Sequence, residues 1–404
     1  MPRTLSSLLF VLTAISILAG MHVYLWVRLV RDPGLPEPWR RIATLAIAFA
    51  AVALPTVMMT ARRSGEPLAK AVPFLAFAWM GLLFLLFSAL LAIDLARLAG
   101  LGASTLADLV RGGPERPPDP ERRRFIARAV AGSAVVVAGG TGAYAFRSAT
   151  GPALIEEVPV KLARLPPALS GLTIAQITDL HVGPTIGEAE VRRVVAQTNA
   201  LRPDVVAITG DLVDGSVERL GRAVAELADL RARHGVFFVT GNHEYYSGAR
   251  DWIAYLRGLG IRVLENERVE IGDRGPGGAT IDLAGVNDYG SRGRRRPGGG
   301  DVDRALAGRD PDRGLVLLAH QPSGVDEAVR AGVELQISGH THGGQIFPFN
   351  FLVAATYPYV RGLYPHREEG QAGQIYVSRG TGYWGPPMRL GSPPEIAKIV
   401  LVPA

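Results

Sequence analysis

Three apolar runs, at residues 8–30, 42–61 and 72–96, constrain this chain more than any other feature of its 404 residues. Each is about the 20 residues that a helix needs to cross a bilayer. In hydrocarbon a backbone has no water to bond, so each run is expected to be a helix. Charged residues stand only near the run ends. A fourth, weaker run at 129–146 is rich in Gly and Ala. Trp26 and Trp39 lie near run ends, where interfacial anchors collect. The first run is long and lacks an A-x-A-like ending, so it reads as a retained helix, not a signal peptide. Asp94 reads as a boundary residue. Beyond His22 and Asp94 the runs hold few polar groups, which argues against a transporter.

Residues 1–150 hold 16 Lys/Arg against 8 Asp/Glu, a balance of +8; residues 151–404 hold 27 against 29, a balance of −2. The basic character therefore belongs to the apolar part, and nothing in the remainder points to a nucleic-acid partner. If the segment after the third run is cytoplasmic, the inner side carries Arg28, Arg31, Arg40, Arg41 and seven arginines from Arg97 to Arg128. The outer side then carries Arg3, Arg62, Arg63, Lys70 and Arg147. Eleven against five obeys the positive-inside rule and puts the C-terminal domain outside the cytoplasm of a bacterial-type, multi-pass membrane protein. "RRRFIAR" (122–128) suits both an internal twin-arginine export signal and a basic stop before a membrane helix. Both readings send the same domain outward. "RGGPERPPDPE" (111–121) reads as a linker. The chain has no cysteine, which excludes disulfides, thiolate metal sites and Cys nucleophiles; any metal must sit on nitrogen and oxygen.

From about residue 155 the pattern changes to short apolar runs alternating with amphipathic stretches at 188–199, 217–233 and 252–259. The runs are "LTIAQIT" (172–178), "VVAIT" (205–209), "VFFVT" (236–240), "LVLLA" (315–319), "LQIS" (335–338) and "IYVS" (375–378). Buried strands alternating with helices make an α/β domain over 151–404, preceded by a membrane region over 1–150. Five of the six runs end in His, Asp or Asn: "DLHVG", "GDLVDG", "GNHEYY", "HQP" and "GHTHGG". Ligands of α/β sheets gather at the carboxyl ends of strands, so these groups are expected on one rim.

The residue types suit metal. Asp179 and His181, two apart at a strand end, can turn toward one ion, and His340 and His342 share that spacing. The strand-end His, Asp and Asn groups offer too many ligands for one ion; seven fit two. Oxygen and imidazole donors fit Mn, Fe, Zn or Mg. Two metals about 3.5–4 Å apart clamp a phosphoryl group and activate a shared water. His243, beside Asn242, is placed to protonate a leaving oxygen. Asp214 reads as a carboxylate that orients neighbours or caps a helix, and Glu244 as either a positioning group or an exposed helix-start carboxylate.

At these residues the chain resembles the calcineurin-like metallophosphoesterase superfamily. That signature runs D-x-H, G-D, G-N-H-[DE], H, G-H-x-H, here "DLH" (179–181), "GD" (210–211), "GNHE" (241–244), His320 and "GHTH" (339–342). The resemblance implies a four-layer α/β/β/α sandwich. It implies one metal on Asp179, His181 and His342, a second on Asn242, His320 and His340, Asp211 as the bridge, and His243 as the catalytic acid. "GGQIFPF" (343–349) and "YVSRGTGYWGPPMRLGSPPEI" (376–396) further resemble a branch of bacterial phosphodiesterases that are membrane-anchored or exported. Phosphate esters, diesters before monoesters, are then the expected substrates, with lipid-linked or envelope phosphates favoured by the bilayer partner. The alternative is a catalytically silent membrane sensor on the same fold. Arg379 and Arg389, flanking "GTGYWGPPM" with its Tyr383 and Trp384, are candidate substrate contacts. "SRGRRRPGGGD" (291–301) reads as a solvated loop or an anion-attracting one.

Overall fold

The computed structural model describes residues 3–60, 68–111, 119–273, 275, 278–290 and 298–404. Arg62, Arg63, Arg116 and most of the linker and of the basic loop lie outside the described residues. The chain divides into two compact units, Met1–Phe146 and Arg147–Ala404.

The first unit is helical: α1 (Arg3–Trp26) with a π-helical extension Val27–Arg31, α2 (Trp39–Thr60), α3 (Leu68–Arg111) and α4 (Pro120–Thr150). Each contains a stretch long and apolar enough to cross a membrane: Val11–Arg31, Trp39–Thr60, Ala71–Gly100 and Pro120–Thr150. The weak Gly/Ala run thus belongs to a helix as regular as the others. Phe49, Val52 and Val136 are exposed, as suits helices whose solvent is lipid, while Leu25, Leu54, Leu83 and Leu90 are buried between helices. Polar groups in this unit pair with one another. His22 receives a bond from Trp79 Nε1 (3.0 Å) and meets the Leu18 carbonyl through Nδ1 (2.7 Å). Asp94 is held by Arg28 and by the Tyr24 hydroxyl, both at 2.6 Å.

Among the described residues, the second unit holds twelve strands, β1 (Leu154–Leu162), β2 (Thr173–Ile177), β3 (Val205–Ile208), β4 (Val236–Phe238), β5 (Arg262–Val263), β6 (Glu267–Gly272), β7 (Thr280–Gly285), β8 (Leu315–Leu318), β9 (Leu335–Ser338), β10 (Gly362–Glu368), β11 (Gln371–Val377) and β12 (Glu395–Pro403). They form two six-stranded sheets, in the orders β1-β12-β2-β3-β4-β5 and β10-β11-β9-β8-β7-β6. β2 to β5 run parallel, as do β7, β8, β9 and β11. The α-helices described between these strands are α5 (Glu188–Ala200), α6 (Val217–Val224), α7 (Asn242–Ser247), α8 (Ala249–Gly258), α9 (Val302–Leu306), α10 (Val325–Arg330) and α11 (Phe349–Ala354). The helix expected over 217–233 is shorter, because its second half tightens into the 3₁₀ turn Ala225–Asp229.

Strand periodicity explains the layers. Ile174, Val205, Ala207, Phe237, Val316 and Leu318 point into the core between the sheets. Their neighbours Ala175, Ile177, Val206, Ile208 and Phe238 point the other way, onto Val191, Val195, Trp252 and Leu256 of α5 and α8. Leu315 and Leu317 meet α9 and α10 on the outer face of the second sheet. The result is the α/β/β/α sandwich. Because both faces of the central strands are buried, their sequences are continuous apolar runs, not alternating ones.

Candidate metal centre

The parallel strands all point their carboxyl ends at one rim, and the chain turns sharply there. Among the described residues, nine non-glycine residues have positive φ, and five of them are Asp179 (52°), His181 (52°), Asp211 (50°), His340 (72°) and His342 (51°). That left-handed conformation is uncommon outside glycine, though Asp, Asn and His tolerate it best. It bends each chain immediately after its strand, so that donors two apart face one volume. Two glycines make room for this. Gly210 has φ +86°, and a Cβ there would meet the Gly241 nitrogen at 2.5 Å. A Cβ on Gly241 would stand 2.2 Å from Asp211 Oδ1.

All seven expected donors and His243 are brought to this rim. Asp179, His181 and His342 form one group with donor atoms within 4.8 Å of one another; Asp211, His320 and His340 form another; and His181, Asp211 and His243 form a third that joins them. Asp211 thus belongs to two groups. His181 Nε2 lies 3.1 Å from His342 Nε2, and His320 Nε2 lies 3.1 Å from His340 Nδ1. His320 Nε2 is 3.2 Å from Asp211 Oδ2.

The residues suit divalent cations. The Asn242 amide oxygen is buried and has no hydrogen-bond partner, an arrangement that costs free energy unless something accepts its lone pairs. Two imidazole nitrogens at 3.1 Å repel unless a proton or a cation lies between their lone pairs. Protonation is opposed on one side: burial, then the neighbouring His320 charge, lowers His340 to about 3, and burial, then Arg389, holds His342 well below its ordinary value. Burial works against charge at His320 too, but Asp211 outweighs it and carries that imidazole up to about 10. Burial likewise opposes ionisation of Asp211, and the His320 charge and bond overcome it, so its carboxyl sits well below the usual range.

The surrounding groups fix each ring. His320 Nδ1 meets the Thr209 carbonyl at 2.9 Å, which turns Nε2 toward Asp211. Burial pushes the half-buried Asp214 carboxyl up, but His181 and His243 outweigh it and hold it well below its ordinary pKa, and it joins those two rings. One oxygen bonds His243 Nδ1 and the other lies 3.3 Å from His181 Nδ1. It is therefore a positioning carboxylate. Glu244 is buried, not an exposed helix-start group. It accepts the backbone N–H groups of Gly241 (2.6 Å), Leu212 (2.8 Å), Asp211 (3.0 Å) and Val213 (3.3 Å), lashing the Asp211 loop to the Asn242 loop.

Arg379 and Arg389, expected at the substrate, are committed elsewhere. Arg389 is completely buried. Its guanidinium donates to the carbonyls of His342 (2.9 Å), Arg379 (2.7 Å) and Gly382, and meets His342 Nδ1 at 3.1 Å. No face of it is left for a substrate; it holds His342 in place. Arg379 is clasped by Glu395 and Glu156, and lines a separate cavity of about 490 Å³ with Arg361. Trp384 does reach the site: its ring centroid is 5.8 Å from that of His243, and Tyr246 packs on the same imidazole at 5.4 Å. Tyr383 is buried, with its hydroxyl on the Thr185 carbonyl. Sequence reasoning missed Tyr357, whose hydroxyl meets His340 Nε2 at 2.9 Å. It lies in no motif, and only the packing of the segment after α11 brings it in.

Fold and donor cluster together define the class: an α/β sandwich built to bind divalent metal. Residues 172–344 match the family model for the calcineurin-like phosphoesterases. The chain is 38% identical over 272 residues to the "Transmembrane protein with metallophosphoesterase domain" of Danio rerio, a match covering 66% of this chain and 62% of that one. It is 40% identical over 250 residues to an "Uncharacterized metallophosphoesterase" of Helicobacter pylori (62% and 64% covered). It is 34% identical over 250 residues to another of that name from Aquifex aeolicus (61% and 91% covered). The match spans about three fifths of the length of the first two relatives. This chain belongs to the calcineurin-like metallophosphoesterase family.

Proposed function

We propose that the protein is a membrane-anchored phosphoesterase with a dinuclear metal centre. Residues 1–150 anchor it, and residues 151–404 hydrolyse phosphate esters. The observation that carries this reading is the sharing of Asp211 between two donor groups, together with the buried, unpartnered amide oxygen of Asn242, next in sequence to His243. Asp179, His181 and His342 would hold one ion, Asn242, His320 and His340 the other, and Asp211 both.

Two divalent ions bound here supply Lewis-acid polarisation of the phosphoryl group and an activated water. The chain's own residues do the rest. Asp214 fixes His243 through Nδ1 and leaves Nε2 on the side of Asp211, 3.9 Å from its Oδ2. From there His243 donates a proton to the ester oxygen that leaves as the new phosphorus–oxygen bond forms. Trp384 and Tyr246 pack on the same ring and limit water around it.

The excess of arginines on the inner loops supports an extracytoplasmic catalytic domain, and the membrane anchor supports a substrate at the bilayer. The likeness of 376–396 to exported phosphodiesterases supports diesters over monoesters. The test uses the full chain purified in detergent with added Mn²⁺, comparing bis(p-nitrophenyl) phosphate with p-nitrophenyl phosphate. The diester is expected to be cleaved faster, with two metal equivalents per chain by elemental analysis. Asp211→Asn and His243→Ala are expected to abolish hydrolysis. Full activity in Asp211→Asn removes the two-metal reading, and a metal-loaded but inert wild-type chain favours the silent sensor.

A further inference from the structure

Helix α11 reads FNFLVA and buries none of its residues. Five of six apolar side chains on a helix with no buried face is contrary to what water selects. Phe349 (46%), Phe351 (64%) and Leu352 (60%) are exposed, as is Phe347 just before them (50%), which packs edge-on against Phe351 with centroids 5.7 Å apart. This segment is tied to Trp384. The Gln345 side chain donates to the Trp384 carbonyl (2.9 Å) and accepts the Trp384 N–H (3.0 Å). Trp384 and Tyr246, both half exposed, pack in turn on His243. Gln345 thus links the segment before α11 to Trp384, and Trp384 and Tyr246 reach the rim of the donor cluster.

Among the described residues of the second unit, eight large apolar side chains are exposed, and six of them are these. The remaining two are Leu154 and Ile155, at the start of β1. They follow directly on α4, from which three residues separate them; three residues of extended chain reach about 10 Å. The exposed apolar surface of this unit is thus concentrated in two places, one at the membrane helix's exit and one at the mouth of the site. Phe, Trp, Tyr and Leu are the side chains that enter the boundary between headgroups and acyl chains.

Resting on the phosphoesterase reading, we propose that the patch formed by Phe347, Phe349, Phe351, Leu352, Trp384 and Tyr246 docks into the surface of the bilayer. It admits the headgroup phosphate of a membrane lipid to the donor cluster. The occupant is lipid because the described residues include four membrane-length helices, and only three residues separate the last of them from β1.

The absence of cysteine makes the test clean, since one introduced thiol is the only label site. The full chain carrying Phe351→Cys or Leu352→Cys is spin-labelled and reconstituted in nanodiscs of phosphatidylcholine and phosphatidylglycerol. Collision with dissolved oxygen is compared with collision with an aqueous nickel chelate. Oxygen is expected to dominate at both positions. A label that meets the chelate freely overturns the proposal, and a label shielded from both marks a protein partner or second copy and overturns it too. In parallel, Phe351→Asp/Leu352→Asp is expected to cut cleavage of bilayer-embedded phosphatidyl-p-nitrophenol at least tenfold. Cleavage of soluble bis(p-nitrophenyl) phosphate should stay within twofold. Equal rates on both substrates, or an equal loss on both, count against docking. Failure of the wild type to cleave either ester removes the phosphoesterase reading, while the label still decides the docking.

Discussion

The Tyr357 hydroxyl meets Nε2 of His340 at 2.9 Å, while the other nitrogen of that ring faces His320. The hydroxyl fixes which nitrogen is left for the donor cluster, as partners behind a ligating histidine commonly do. Tyr357→Phe keeps the ring and removes only the bond. It is expected to weaken metal binding by about 10-fold or more. Metal content after dialysis against graded chelator reads this directly, with the thermal midpoint of the metal-free chain little changed.

Arg389 is expected to matter for folding before it matters for turnover. Arg389→Met removes a buried cation and strands the carbonyls of His342, Arg379 and Gly382, at a cost on the order of 3 kcal/mol or more. Arg389→Lys should not rescue it, because one ammonium cannot reproduce a planar fork. Urea denaturation of the two variants with metal removed checks both statements.

Glu244→Gln is nearly isosteric, yet it turns an NH₂ group toward backbone N–H donors. Whichever way the amide faces, two of the four N–H groups lose their acceptor, so a loss of roughly 2–4 kcal/mol is expected. Mn²⁺ content should fall with it, since those bonds hold the Asp211 and Asn242 loops together. Equal stability of the glutamine variant and the wild type would show that the lashing is dispensable.

Metal binding should release protons and strengthen with pH. Burial tends to lower His320, but Asp211 carries it up to about 10 in the metal-free protein, against about 6.5 for a free imidazole. The folded chain holds this proton more tightly than the unfolded one. The stabilisation is fully present below about pH 6.5 and is lost as the pH rises through 10. A cation at Asp211 and His320 must displace the proton, so affinity rises over the same window. Titration calorimetry at pH 7.5 in buffers of different ionisation enthalpy should show release of about one proton per chain or more. Heats independent of buffer would contradict it.

The donors were legible because β2, β3, β4, β8 and β9 are buried on both faces, so each reads as an apolar run that stops abruptly at a polar cluster. The edge strands β1, mostly exposed, and β6 and β10, mostly half-buried, have one partner each and carry no such run. β5 is only two residues long. The groups that hold the rings come from far along the chain. Arg389 reaches His342 across 47 positions and Tyr357 reaches His340 across 17, at spacings no helical or strand period selects. Arg389 also misled, since an arginine beside Gly and aromatic residues reads as a phosphate contact when only its burial tells otherwise.

The left-handed backbone at Asp179, His181, Asp211, His340 and His342 imposes a double filter on what can replace them. Coordination chemistry alone would admit glutamate at any of these positions. Conformational tolerance alone would admit asparagine or glycine. Glutamate fails the conformational filter and glycine the chemical one, while a short carboxylate, an imidazole and, as a weaker donor, an asparagine amide pass both. An Asp-to-Glu exchange here lengthens the reach to a cation and also forces a poorly suited side chain into a turn, so the rim has little freedom to drift even among chemically equivalent ligands.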